Sequence, residues 1–508
     1  VRVENVPPTL RSTPQLRSYF ERLFPNQVRD VSVCMYTKAL DKLIAERQKN
    51  IEALEKAVAF TNAKPDKPAP KTSTSMVPCC GPKVEAIPYH RSEIARLNDE
   101  IDTAREAVLS EASAQVATDT DVPEEAVEYP NDNASNEQEV ELVAKDYDNL
   151  GTNVVVEGGT DDVAEATADN GSASSTGYVT FTSLKAKQAA VQCEISGKKD
   201  RVDVFAASEP NGVIWDNVTT PLTQQRVVEM VMAAFWMVGV LFWAVPVAFV
   251  TALANLNGLL KSVGLPEQDP NSAWYGIVSG LLPVIFLQIL MIVLYLCIVA
   301  CAKMIIKKKS MPEVDTYALF WHQLFQFANL WLILFGGSAI SELDTLLNNP
   351  DELVRSIAAA LPAQSVFFVN YIILASFGAF GLELSMLPTY GVKLLLSMIQ
   401  PEASKTQRQL DDEQVPPSVI WGRIIPPMIF IWLVSIVYMT IVPMMSVFAL
   451  VFFSGAYIVW KHQCLHVYAS EFEGGGTVTW QTVFVFLLAS LYMAELIWVG
   501  YMGLKEAP

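Results

Sequence analysis

Long runs without Asp, Glu, Lys or Arg dominate the second half of the chain and set its architecture. Met230–Asn257, Ala273–Ala302, Tyr317–Ser341 and Ser356–Leu382 are four of them, the last resuming after Glu383 as far as Val392. Ile424–Trp460 is a fifth, and at ~1.5 Å per helical residue it would reach about 55 Å, too long for one ~30 Å hydrocarbon crossing. Pro443 near its middle is the natural turn, so this run supplies two spans. Thr477–Leu504 is the last, interrupted only by Glu495. Because a crossing needs roughly 20 apolar residues, the pattern predicts seven spans.

The first half has shorter periods. Val1–Val6 reads as a strand, Thr13–Leu23 as an amphipathic helix, Val28–Met35 as a strand by its alternating valines, Tyr178–Phe181 as a strand, Lys185–Gln192 as a helix and Arg201–Ala206 as a strand. The order βαββαβ is the ferredoxin-like or RNA-recognition-motif (RRM) arrangement, with about 140 residues inserted between its second and third strands. The insert opens on two heptad-like helices, Leu40–Phe60 and Tyr89–Leu109, expected as an antiparallel hairpin over about 38–110. The fold class is therefore a polytopic α-helical membrane protein (226–508, seven spans) with an N-terminal α+β ferredoxin/RRM-like domain (1–225).

Charge sharpens this division. The 508 residues carry a formal charge of -18 although 51% are hydrophobic. Glu111–Asn170 alone holds 17 acids and a single base, Lys145, so the rest of the chain is close to neutral. That tract (about 111–170) is rich in Ala, Thr, Asn and Gly and cannot bury a core, which reads as a disordered linker. The balance excludes a basic nucleic-acid binder, and seven Cys in a long chain argue against a disulfide scaffold.

Lys and Arg fix the orientation. Arg226, Lys303, Lys307–Lys309, Lys405, Arg408, Arg423 and Lys461 fall in every second connection, and the alternate connections hold only Lys261 and Arg355. The positive-inside rule places the N-terminal domain and the basic loops in the cytosol. Multi-pass insertion is expected, in the plasma membrane or in an internal one.

Gly177-Tyr-Val-Thr-Phe181 matches half of an RNA-binding ribonucleoprotein motif, but Ser174, Ser175 and Thr176 stand where a base, a glycine and a stacking aromatic belong. No RNA binding is expected. No phosphate-cradling loop, metalloprotease HExxH or nucleophile elbow is present, which points away from an enzyme and from any cofactor. His462, Cys464 and His466 have helical spacing for a metal without a specified outer shell, and no metal is assigned.

VRVENVPP at the start, VEAIPYHRSEIARLNDEI, GYVTF, SEPNGVIWDN (Ser208–Asn217), VPVAFVTALANLNGL (Val245–Leu259) and LVFFSGAYIVWKHQCLHVY (Leu450–Tyr468) together resemble the OSCA family of osmosensitive, calcium-permeable, stress-gated cation channels, across nearly the whole chain. The resemblance implies a homodimer with one pore per subunit, anoctamin-like architecture, membrane lipids as partners and calcium, potassium and sodium as permeant ions. It also implies three helices before Val1 and one after Pro508. In that family Gly often precedes the acid of the central helix; here the position is Leu382. Mechanical or osmotic gating of a non-selective cation channel is the function implied, with an anoctamin-like lipid scramblase as the alternative.

Glu383 is the sharpest candidate. An ionisable group inside an apolar helix costs ~2.5 to 3.5 kcal/mol at the bilayer centre, so it should face protein or a watery cavity. By resemblance it is the acid of the pore-lining helix. Gln288, Gln326, Asn329 and Asn370 line a pore or bond between helices, the latter being the commoner role of such groups. Gly378 and Gly381, with Pro388, are where the central helix should bend, and Phe377 and Phe380 are candidates for a constriction. Cys79 and Cys80 sit where the resemblance places a loop hooked toward the bilayer, and are candidates for lipid anchoring.

Overall fold

The computed structural model describes residues 1–65, 67–73, 83–119, 172–196, 201–252, 272–334, 361–362, 364–387, 390–391, 393–394, 398, 405–470 and 476–504. The chain forms two compact units. One comprises Val1–Ala207, Trp215–Gln225 and Gln400–Asp412, the other Ser208–Ile214, Arg226–Ile399 and Glu413–Pro508.

In the first unit, β1 (Arg2–Glu4), α1 (Thr13–Leu23), β2 (Val28–Met35), α2 (Lys38–Ala63), β3 (Lys71–Ser73), β4 (Lys83–Glu85), α3 (Ala86–Asp119), β5 (Ala173–Phe181), α4 (Leu184–Gln192) and β6 (Asp203–Phe205) follow in order. The main sheet runs β2-β5-β1-β6 with every neighbouring pair antiparallel. Leu16 and Phe20, one helical turn apart on α1, are buried with Val3, Val31 and Val179 on the sheet. Gly177 permits that approach: a Cβ there would lie 3.0 Å from Leu16 Cδ2 and 3.2 Å from the Ser32 carbonyl.

β5 begins five residues before the expected Tyr178, because its first turns of sequence are polar yet buried. Thr176 donates to Glu4 Oε2 at 2.9 Å, Glu4 pairs with Arg2 at 2.8 Å, and the Ser174 hydroxyl accepts from the Thr176 amide at 3.2 Å. Hydrogen bonding thus replaces hydrophobicity along this strand.

α2 and α3 pack as the expected hairpin with Ala57, Leu97 and Ile101 buried. His90 is buried against it, its Nδ1 2.8 Å from Asn50 Oδ1, and desolvation lowers its pKa below the ordinary histidine value. α3 continues to Asp119, so Glu111–Asp119 is helical and not disordered as its composition suggested; strong helix formers such as Ala and Glu extend it. The remainder of the acidic tract, 120–170, and the Cys79–Cys80 pair lie outside the described residues.

The single turn α5 (Trp215–Val218) also belongs to the first unit, and the rest of the described chain is helical: α6 (Leu222–Phe242), α7 (Ala244–Ala252), α8 (Ala273–Ala300), α9 (Met311–Leu334), α10 (Ser365–Ile373), α11 (Phe380–Ser385), α12 (Gln407–Gln414, mostly in the first unit), α13 (Trp421–Tyr438), α14 (Met444–His466) and α15 (Gly476–Leu504). Among the described residues six helical stretches are long and apolar enough to cross a membrane: Leu222–Val250, Leu281–Ile305, Ser365–Ser385, Trp421–Tyr438, Met444–His466 and Thr479–Met502. The turn at Pro443 forms between α13 and α14 as expected. α9, the expected third span, forms but is not among the six; it carries buried His322, Gln323, Gln326 and Asn329.

The central helix departs from expectation at its end. A π-helical segment, Leu374–Ala379, joins α10 to α11 and contains Gly378. The helix is interrupted again at Met386, whose φ of 49° is left-handed, two positions before Pro388, and helical residues resume at Leu387. Gly378 relieves crowding in the π turn, where a Cβ would lie 2.9 Å from Leu374 Cδ1, and nothing lies within 4 Å of a Cβ at Gly381.

Loops at the helix ends are joined by backbone hydrogen bonds. Ile214 N donates to Lys309 O at 2.9 Å, beside a Val213–Ser310 bridge, and Ala469 N donates to Pro417 O at 3.2 Å. Lys308 pairs with Glu229 at 2.8 Å. These bonds put the segment leading into the first span beside the exit of the second, the same side that the basic residues marked.

Candidate pore cavity

The site begins with two prolines. Pro426 cannot donate to the carbonyl one turn before it, that of Gly422, so the freed oxygen needs another partner. His322 Nδ1 supplies it at 3.2 Å, which fixes the proton on Nδ1 and leaves Nε2 as a buried acceptor with no hydrogen-bond partner among the described residues. Asp315 caps the same helix start, accepting from the Gly422 amide at 2.8 Å. The residue must be glycine for this, because a Cβ would come within 2.6 Å of Asp315 Oδ1.

These contacts align α9 with α13 along one wall of a cavity of about 170 Å³. Gln288, His322, Tyr371, Glu383 and Arg423 provide its polar lining, and Phe380, Ile431 and Phe452 part of its apolar lining. The side chains of Gln288 and Gln326 both bond to Tyr371. Glu383 is half-buried at the end of α11 and is held twice: Tyr468 donates to its carboxylate, and Gln463 Nε2 donates to its carbonyl at 2.6 Å. Glu383 and the largely exposed Arg423 are the two charged residues among those that line it.

The other candidates distribute unevenly. Asn329 is fully buried and bonds between helices, accepting from Trp243 Nε1 at 2.8 Å and donating to Met291 Sδ at 3.1 Å. Gln326 touches the cavity only through Tyr371, and Asn370 is half-buried away from it. Phe380 stacks on Phe452 with ring centroids 5.1 Å apart, whereas Phe377 is 68% exposed on the outer surface. Among the described residues no cluster of three or more His, Cys, Asp or Glu is placed to hold a metal.

His322, Tyr371, Arg423, Gln463 and Tyr468 escaped the sequence reading. His322 carried a usable signal, being one of four histidines and lying in an apolar run. The other four had none, since tyrosines, a glutamine and a loop arginine near span ends are ordinary there.

Residues 228–502 match the family described as "Calcium-dependent channel, 7TM region". The chain belongs to this family. Residues 1–123 match "Cytosolic domain of 10TM putative phosphate transporter", which assigns the N-terminal unit to the cytosolic side of a multi-pass membrane protein. Relatives within reach include Arabidopsis thaliana hyperosmolality-gated Ca2+ permeable channel 1.5, 28% identical over 338 residues (64% of this chain, 43% of the relative), and channel 2.3, 29% identical over 311 residues (60% and 42%). The CSC1-like protein ERD4 of Brassica juncea is 25% identical over 314 residues (60% and 42%). The chain thus spans about two-fifths of the length of these relatives. The family match covers every residue of the cavity lining, from Gln288 to Trp460.

Proposed function

We propose that this chain forms the conducting body of an osmotically gated, calcium-permeable cation channel. The observation that carries the reading is the Glu383-lined cavity inside a bundle of candidate spans, in a chain whose relatives are named hyperosmolality-gated Ca2+ permeable channels. A carboxylate in a narrow, partly apolar passage raises local cation occupancy, and neutral oxygens from Gln288 and Tyr371 supply weaker, exchangeable ligands.

Gating by membrane tension follows from the same architecture. A state with larger in-plane area gains population as tension rises, and the central helix, with its π segment and left-handed end, is the element suited to move. Helix α9 supplies a seventh span in this reading. The β2-β5-β1-β6 order supports an RRM-like cytosolic domain that has lost its RNA-stacking positions. Family resemblance supports a homodimer in the plasma membrane.

The test is hyperosmotic and stretch stimulation of the full-length protein in liposomes, with single-channel recording and a dithionite assay of lipid exchange in parallel. Stimulus-evoked calcium-permeable currents without lipid exchange are expected. Lipid exchange without currents would replace the channel with a scramblase.

A further inference from the structure

A second cavity, of about 930 Å³, lies between the ends of α8, α9, α13 and α15 and the segment after α14. Its lining is graded. Lys303, Asp315, Ser418, Ser470 and Thr479 come from helix ends and loops on the side where the basic residues gather, and they form one polar rim. Below it the lining is apolar along three helices: Tyr295 to Val299 on α8, Trp421 to Trp432 on α13 and Trp480 to Leu487 on α15. At ~1.5 Å per residue these stripes extend about 12 to 17 Å from the rim. That is about half of a ~30 Å hydrocarbon core, the depth of one leaflet.

The dimensions and the polarity gradient suit one class of molecule. A volume near the upper end of the usual ligand range, apolar to the depth of one leaflet and capped by a half-buried lysine, matches an acyl chain below an anionic headgroup. Trp421 and Trp480 in the lining near the rim are the side chains that favour the membrane interface. We propose that this cavity is a binding site for a phospholipid of the cytosolic leaflet, one acyl chain seated between α13 and α15 and its phosphate at Lys303. Tyr468 belongs to the wall of this cavity and also holds the Glu383 carboxylate, so the occupant touches the residue that secures the pore acid. The site rests on the orientation of the spans and not on conduction.

The test uses the full chain in phosphatidylcholine vesicles doped with a phosphatidylserine whose acyl chain carries a diazirine, followed by photolysis and peptide mapping. Labelling should concentrate at Met428–Trp432 and Val483–Leu487, and exceed several-fold that at lipid-facing Tyr492 and Val499. Val483→Trp, which fills the apolar floor, should abolish the concentrated labelling while leaving Tyr492 and Val499 labelled. Lys303→Gln, which removes the positive charge from the rim, should lower it several-fold. Equal labelling by a diacylglycerol probe lacking phosphate would overturn the headgroup assignment. Labelling confined to lipid-facing positions, as when another protein segment fills the cavity, would overturn the site.

Discussion

The Tyr468 hydroxyl donates a hydrogen bond to the Glu383 carboxylate, joining the second residue after α14 to the last turn of α11, 85 residues earlier. A hydrogen bond to a charged group contributes about 1.5–3 kcal/mol. If it exists in only one of two gating states, its loss shifts their ratio by roughly tenfold or more. Tyr468→Phe should therefore move the stimulus–response curve in patch recordings while leaving expression unchanged. An unmoved curve would mean that the bond persists in both states.

Glu383 and Arg423 both contribute to the lining of one cavity. Glu383→Ala leaves a net positive lining and should reduce calcium permeability and unitary cation conductance. Arg423→Gln should raise both. Reversal potentials under calcium gradients measure the two effects, and changes of the same sign would remove one of the pair from the conduction path.

Gly422 and Gly381 offer a contrast between packing and motion. A Cβ at Gly422 meets Asp315 Oδ1 at 2.6 Å and its backbone oxygen at 2.8 Å, so Gly422→Ala should destabilise by about 1–3 kcal/mol, the usual cost of overpacking. Gly381→Ala meets nothing within 4 Å and should be tolerated, with a gain of up to about 1 kcal/mol from helix propensity. Thermal unfolding in detergent reads both. A change in gating by Gly381→Ala at unchanged stability would identify a hinge there.

Glu4 is fully buried, bonded by Thr176 and paired with Arg2. Glu4→Ala strands the Arg2 guanidinium, and breaking a buried pair from one side costs about 3–5 kcal/mol. The N-terminal domain should lose its cooperative unfolding transition. Full retention of that transition would show that water reaches Arg2.

Arg408 bonds Glu55 at 3.0 Å, linking α12 to the hairpin helix α2 within one unit. Both groups are partly exposed, so the pair should contribute only about 0.2–1 kcal/mol to stability. Its value would lie in linking the segment that follows the central helix to the cytosolic unit. Reversing either charge should alter the osmotic threshold and reversing both should restore it, as read by calcium uptake; failure of the double reversal would dissociate the contact from gating.

What could be read in the sequence depended on whether the information was local. β1, α1 and β2 announce themselves through periods of 2 and 3.6, and the Pro443 turn through length alone. The first half of β5 does not, because Ser174, Ser175 and Thr176 are buried by virtue of partners on β1 and on β5 itself. The left-handed residue that interrupts the central helix was not legible for a related reason. Glycine and proline are the usual helix breakers, yet a methionine adopts the left-handed conformation here. Glu383 stood out as a charge in an apolar run, but Gln463 and Tyr468 approach it only through tertiary packing and no nearby pattern signals them.

The left-handed turn at Met386 has a chemical consequence beyond geometry. It leaves Glu383 at a helix terminus, where the carbonyl ends of the peptide dipoles add negative potential to that of the carboxylate. Gln463 and Tyr468 answer that potential with protein donors, one on the carbonyl and one on the carboxylate. A cation drawn to Glu383 would seek the same two oxygens. Both are already engaged, so any cation that binds there has to displace a protein donor.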